Sequence, residues 1–202
     1  ISLVAMGEKT QELAGECMDA LYLHTYFNDL AVEKAIAAVK RGADRANRDP
    51  SEVRIWSILA TVGDHIDAPG RLKKTVGRLA SYLQGYGKLL VSVNEWDPAV
   101  LERFLEDKLV QSFKGAPIDA VASTSQLELI GELIPDEWLN VAAQGTPEQC
   151  AQAIKHQLDI GCDSVILHGA TPSELAPILP AYRTIRDSRH DTLPANPGWS
   201  KQ

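Results

Sequence analysis

The sequence predicts an α/β chain in which four short apolar strands, each followed by a helix, form a parallel sheet with its helices outside. The apolar runs have the length of buried strands, and helix-capping residues follow them. A third observation is a repeat: "MDALYLH" at 18–24 and "CDSVILH" at 162–168 both run from a loop Asp through an apolar run to Leu-His. The step from Asp19 to His24 equals that from Asp163 to His168, so the repeat marks two equivalent βα units and puts a histidine at the carboxyl end of each strand. Four βα units are half of an eight-stranded barrel. A doubly wound open sheet competes with it, but no Gly-x-Gly-x-x-Gly loop follows any strand.

The elements follow in order. "ISLVAM" reads as a buried strand and "GEKTQELAGE" as a short helix entered through Gly7. "ALYLH" is the second strand. Behind it, "NDLAVEKAIAAVKRGADRANRD" is an amphipathic helix capped by Asn28 or Asp29, with Leu30, Ala31, Ile36, Ala37 and Val39 on one side and Asp49-Pro50 as its stop. "VRIWSILATV" is the third strand, rich in β-branched residues, and closes on Gly63. From about residue 65 to residue 144 the pattern turns helical, in "GRLKKTVGRLASYLQGYG", "DPAVLERFLED" and "TSQLELIGELI", which reads as an insertion after the third strand. "GTPEQCAQAIKHQLDIG" restores the alternation, with Thr146 as cap, Pro147 at the first helical position, Glu148 and Gln149 in the first turn, and Gly161 at the end. "SVILH" is the fourth strand and "TPSELAPILPAYRTIRDS" the last helix. Residues 1–186 thus read as one barrel-like domain and 187–202 as a polar, proline-rich tail.

A net charge of -7 with no basic stripe argues against a nucleic-acid partner. No apolar run reaches the roughly 20 residues that cross a bilayer, and no charged-then-apolar leader opens the chain, so a cytoplasmic protein is expected. The chain opens directly on a strand without an initiator Met, which reads as a start inside a protein. Cys17, Cys150 and Cys162 lack Cys-x-x-Cys spacing and are expected to be reduced core or helix-end residues.

The chemistry-bearing candidates lie at strand ends. In "MGEKT" a glycine opens a helix, where free backbone N–H groups and the dipole favour a phosphate, and Lys9 adds a mobile charge. Glu8 opposes this unless its carboxylate turns outward. His24 and His168 suit contact with a cofactor ring or proton transfer, against the plainer reading of hydrogen bonds to loop backbone. Thr61, at the end of the third strand, is a milder candidate, and "HGATP" reads as a capped βα turn or as an amide donor to a ligand. Arg71, Lys73, Lys74, Arg78 and Lys88 read as a solvated helix face or, more sharply, as an electrostatic lid over an anionic ligand. Trp56, Trp96 and Trp138 read as core or subunit contacts, and His65, His156 and His190 as surface residues. No two potential ligands pair convincingly near a strand end, so no metal site is expected.

In this order, "VAMGEKTQELAGECMDALYLHTY", "VKRGADRANRDPSEVRIWSILATV" and "GTPEQCAQAIKHQLDIGCDSVIL" resemble the C-terminal part of the bacterial luciferase-like (β/α)8 TIM barrels. The nearest resemblance is to their deazaflavin-dependent branch in mycobacteria and other actinobacteria, and it runs from residue 1 to about 186. It implies a C-terminal half-barrel with a helical insertion after the third strand seen here. It also implies hydride transfer between coenzyme F420, a deazaflavin, or alternatively FMN, and an organic substrate, or flavin-dependent oxygenation. The cofactor phosphate would rest on Gly7, Glu8, Lys9 and Thr10, where many relatives have Gly-Pro-Lys. The first four strands of such a barrel have no counterpart in this sequence, so the expected partner is a second copy or a missing N-terminal half-barrel. A binding or assembly module without catalysis, and a phosphate-binding barrel enzyme without a redox cofactor, stand as the alternatives.

Overall fold

The computed structural model describes residues 1–188. Strand β1 (Ser2–Val4) leads through Gly7 into α1 (Glu8–Cys17), and β2 (Ala20–Tyr22) leads into α2 (Asp29–Arg45) and on to β3 (Arg54–Gly63). Helices then follow one another: α3 (Ala68–Leu72), a π-helical turn at Lys73–Gly77, α4 (Arg78–Asn94), α5 (Pro98–Glu106), α6 (Lys108–Ser112), α7 (Ile118–Val121), α8 (Thr124–Gly131) and α9 (Asp136–Leu139). The alternation returns with β4 (Ala143–Gly145), α10 (Pro147–Asp159), β5 (Ser164–His168), α11 (Pro172–Leu175) and α12 (Ile178–Ile185). The tail read from the sequence over 187–202 lies outside the described residues from 189 onward, His190 included.

The helix starts follow the capping residues. Asn28 caps α2 by accepting from the Ala31 amide at 2.9 Å, and Thr146 forms a reciprocal box with Gln149 at the start of α10, with Pro147 next. The segment expected as one last helix is two, because Pro177 has no N–H to continue α11. The buried stripe of α2 is Ala31, Val32, Ala35, Ala38, Val39, Gly42 and Ala43, while Leu30 and Ala37 face outward. Small residues line this face because α1 packs directly on it.

All strand pairs are parallel, so this is an α/β fold with a parallel sheet. β3 is the organising strand. It carries β2 along its start (Ala20↔Arg54 to Tyr22↔Trp56), β5 along its middle (Trp56↔Ser164 to Ala60↔His168) and β4 at its end (Thr61↔Ala143 to Gly63↔Gly145). The sequence offers no sign of β4, since Ala-Gln-Gly has neither β-branching nor alternation and is extended only because it docks on β3. The two rhyming aspartates both serve the start of β3. Asp163 accepts from the Ile55 amide through its carboxylate at 2.7 Å, and the Asp19 carbonyl accepts from the Arg54 amide at 3.0 Å.

Pairing register divides the sheet into two faces. Leu21, Leu23, Ile55, Ser57 and Leu59 are buried beneath the helices, with the Ser57 hydroxyl donating to Gln157 of α10 at 2.7 Å. The other face carries Tyr22, Trp56, Ile58 and Ile166, all half-buried, and Val4, which is 63% exposed. All five residues of β5 are likewise half-buried.

α1 and α2 cross at van der Waals contact of their backbones. A Cβ on Gly42 would lie 1.9 Å from the Glu12 carbonyl oxygen, and one on Gly15 would lie 2.1 Å from that of Val39. The Arg41–Glu12 and Arg45–Glu16 pairs above the crossing leave their arginines about half exposed to solvent and add little. Gly42→Ala should therefore lower the unfolding free energy by about 2–3 kcal/mol, the upper part of the overpacking range. Gly85→Ala, whose Cβ would meet nothing within 4 Å, should leave it unchanged or raise it by up to about 1 kcal/mol, with urea unfolding as the measurement.

Candidate functional site

The carboxyl ends of the strands form one rim. In sheet order it carries the Gly7 turn after β1, His24 after β2, Gly63 ending β3 and His168 ending β5. Helix α4 stands against this rim and brings Arg78, Tyr82 and Tyr86, three residues spaced one turn apart on one side.

Local chemistry holds α4 there. The buried Asn94 amide accepts from the Asn28 amide N–H at 2.8 Å and donates to the carbonyls of Tyr26 and Leu90, both at 3.0 Å. At the other end of the helix, the Tyr26 hydroxyl reaches the Thr75 carbonyl at 3.1 Å, in the π-helical turn whose carbonyls a regular α-helix would have used. Tyr26 adopts a left-handed φ of 66°, which a buried aromatic residue tolerates only when its surroundings dictate it. Lys74 of the same turn donates to the Gly169 carbonyl at 2.7 Å and pairs with Glu174 at 3.1 Å, so the loop after β5 is tied to the base of α4.

His24 has both ring nitrogens engaged, Nδ1 with the Thr25 carbonyl at 2.9 Å and Nε2 with the Tyr86 hydroxyl at 3.0 Å. Its ring meets the edges or faces of Tyr82 and Tyr86 at centroid distances of 5.1 and 5.0 Å. Burial pushes its pKa down, opposed by the Thr25 carbonyl. His168 differs: its Nδ1 is buried and has no hydrogen-bond partner among the described residues. Its pKa is also lowered, first by burial and then by the nearby charges of Arg78 and His24. Burial raises the Tyr26 and Tyr86 phenols well above their ordinary value. The centre is therefore neutral, with Arg78 at its margin held by Asp119 at 3.0 Å.

The structure thus puts His24 and His168 at the ends of the strands that flank β3, near enough for each other's charge to be felt. Gly7 sits two strands along from β3 at the same rim, and a Cβ there would meet nothing within 4 Å. The amides of Glu8 and Lys9 have no acceptor among the described residues, while those of Thr10 and Gln11 bond the Gly7 carbonyl. The Glu8 carboxylate is drawn outward to Arg41 at 2.5 Å, and Lys9 and Thr10 are exposed. Thr61 is not part of the open rim: it is fully buried and its hydroxyl donates to the Leu59 carbonyl at 3.0 Å. Arg71, Lys73, Lys74 and Arg78 are not a uniform solvated face, since Lys74 and Arg78 pair inward with Glu174 and Asp119. His65 and His156 are exposed, bonded to the Glu174 carbonyl and the Asp29 carboxylate, both at 2.8 Å. Sequence reasoning missed Tyr82 and Tyr86. Their one signal was the spacing in "RLASYLQGY", which sets Arg78, Tyr82 and Tyr86 on one helical side.

No protein-family model matches the chain. In sequence it is 27% identical over 167 residues to 5,10-methylenetetrahydromethanopterin reductase from Methanolobus tindarius, across 82% of this chain and 47% of that protein. Among solved structures, the coenzyme F420-dependent tetrahydromethanopterin reductase from Methanopyrus kandleri superposes with a TM-score of 0.63 at 16% identity, over 89% of this chain and 48% of that one. An F420-dependent secondary alcohol dehydrogenase in complex with an F420-acetone adduct gives a TM-score of 0.52 at 17% identity, over 92% and 48%. The chain shares the α/β fold of these structures. It spans about half the length of the relatives it matches.

The depressed histidine pKa values have a consequence for stability. Just below the ordinary value of 6.5 the unfolded chain binds more protons than the folded one, so stability is fully present above that pH and declines as pH falls below it. The urea midpoint should drop between pH 7 and about 5.5, and His24→Gln/His168→Gln should flatten the drop. Carboxylates held low, such as Glu12 and Glu174, add their loss only below about 4.5, which keeps the two windows apart.

Proposed function

We propose that this chain is the C-terminal half of a luciferase-like (β/α)8 barrel, with residues 65–144 inserted after β3, and that it serves an oxidoreductase using a deazaflavin, coenzyme F420, with FMN as the alternative. The observation that carries the reading is the pair of histidines at the ends of β2 and β5, one of them with a buried Nδ1 that has no partner among the described residues, on the same rim as an open helix-opening glycine turn. The names of the two structural neighbours favour the deazaflavin, and the methanopterin-reductase relative favours hydride transfer over oxygenation.

The residues suit such a group. The free amides of Glu8 and Lys9, with the Lys9 ammonium beside them, would take a phosphate, and the departure of Glu8 toward Arg41 removes the charge that would oppose it. His168 would meet a polar edge of the ring through Nδ1, and the rings of Tyr82, Tyr86 and His24 would exclude water from it. The bound cofactor supplies the hydride chemistry, and the protein orients it and sets its surroundings. Thr61 would act only as buried support for β3.

The exposed Val4 and half-exposed β5 favour completion of the sheet by an N-terminal half-barrel or a second copy of the chain. No helix among the described residues is long and apolar enough to cross a membrane. We keep the cytoplasm as the proposed compartment.

Fluorescence titration of the intact protein with coenzyme F420 and with FMN tests the reading. Saturable binding of one of them is expected, weakened about two- to fivefold by Lys9→Ala, the worth of an exposed ion pair. Binding of neither would leave a non-catalytic half-barrel module as the better account.

A further inference from the structure

Nδ1 of His24 lies against the Thr25 carbonyl oxygen, which can only accept, so Nδ1 carries the proton and Nε2 is left as an acceptor. The Tyr86 hydroxyl, 3.0 Å from Nε2, must then be the donor. Tyr86 is also where the backbone of α4 leaves helical geometry, at φ -149° and ψ 31°, so the helix bends where this contact is made. Edge contacts from Tyr82 and Tyr86, at interplanar angles of 73° and 77°, fix the plane of the imidazole. Among the described residues, His168 on β5 interacts electrostatically with His24, and Arg78 on α4 acts on His168, Tyr86 and Tyr26, with its partner Asp119 also acting on Tyr26.

We infer that Tyr86 is a positioning residue whose hydroxyl holds His24 in one orientation and as the Nδ1–H tautomer, leaving His168 as the histidine with a nitrogen for a ligand. His24 then presents an aromatic wall rather than an acidic N–H. The functional meaning of this rests on the cofactor site proposed above; the hydrogen bond itself does not.

Nitrogen NMR of the intact protein labelled with 15N-histidine tests it without any cofactor, the His24 signals being assigned by their loss in His24→Gln. In the native protein at neutral pH, Nδ1 should be protonated and Nε2 unprotonated, in a single tautomer. A donor to Nε2 opposes protonation there, so Tyr86→Phe should raise the His24 titration midpoint by about 0.5–1 pH unit and let the two tautomers mix. Tyr82→Phe, which keeps its ring contact and removes no hydrogen bond to His24, should change neither. A protonated Nε2 in the native protein overturns the inference by itself, whether or not the Tyr86 variant folds. An unchanged tautomer and midpoint in folded Tyr86→Phe also overturn it. Failure to bind either cofactor would sink the proposed function and leave these nitrogen signals as they are.

Discussion

The buried side chain of Asn94 is the contact on which the candidate site depends. With no bulk water at hand, its amide must find protein partners or lose the desolvation cost of each unmet group, about 1–3 kcal/mol. It finds them in the Asn28 amide and the Tyr26 and Leu90 carbonyls, and Asn28 returns a bond to the Asn94 carbonyl at 2.9 Å. The end of α4 is thereby fixed to the turn between β2 and α2. Together with the ties of Lys74 and Thr75 at the other end of the helix, that anchor holds Arg78, Tyr82 and Tyr86 on the side that faces the rim.

The sheet beneath is asymmetric. Its helix side is sealed by side chains as small as glycine at the α1–α2 crossing, where backbones meet at contact distance. Its other side is apolar yet half open, from Val4 across Trp56 to Ile166. Such a surface is costly in water, and it is the physical basis for proposing that further strands or another copy complete it.

Electrostatically the site is a neutral centre with charges at its margin. Burial disfavours imidazolium and phenolate alike, so His24, Tyr26 and Tyr86 make their hydrogen bonds as uncharged groups. Arg78 is balanced by Asp119, and Lys74 by Glu174, so the cations of the helical segment brace the walls as much as they could attract an anion. Lys9 remains exposed at the Gly7 turn, which is why it is the cation proposed to meet a ligand phosphate.

By itself the sequence determined what depends on neighbours along the chain. The caps at Asn28 and Thr146, the order of strands and helices, and the placing of His24 and His168 at strand ends are local consequences of periodicity and side-chain chemistry. Tertiary structure decided what depends on distant partners. β4 is a strand only because β3 lends it hydrogen bonds, Leu30 and Ala37 face outward because α1 covers a different stripe of α2, and Thr61 is sealed beneath the rim. Two histidines alike in their sequence setting became unlike for the same reason. A helix 62 positions away brought Tyr86 to the nitrogen of His24, while none of the described residues was brought to Nδ1 of His168.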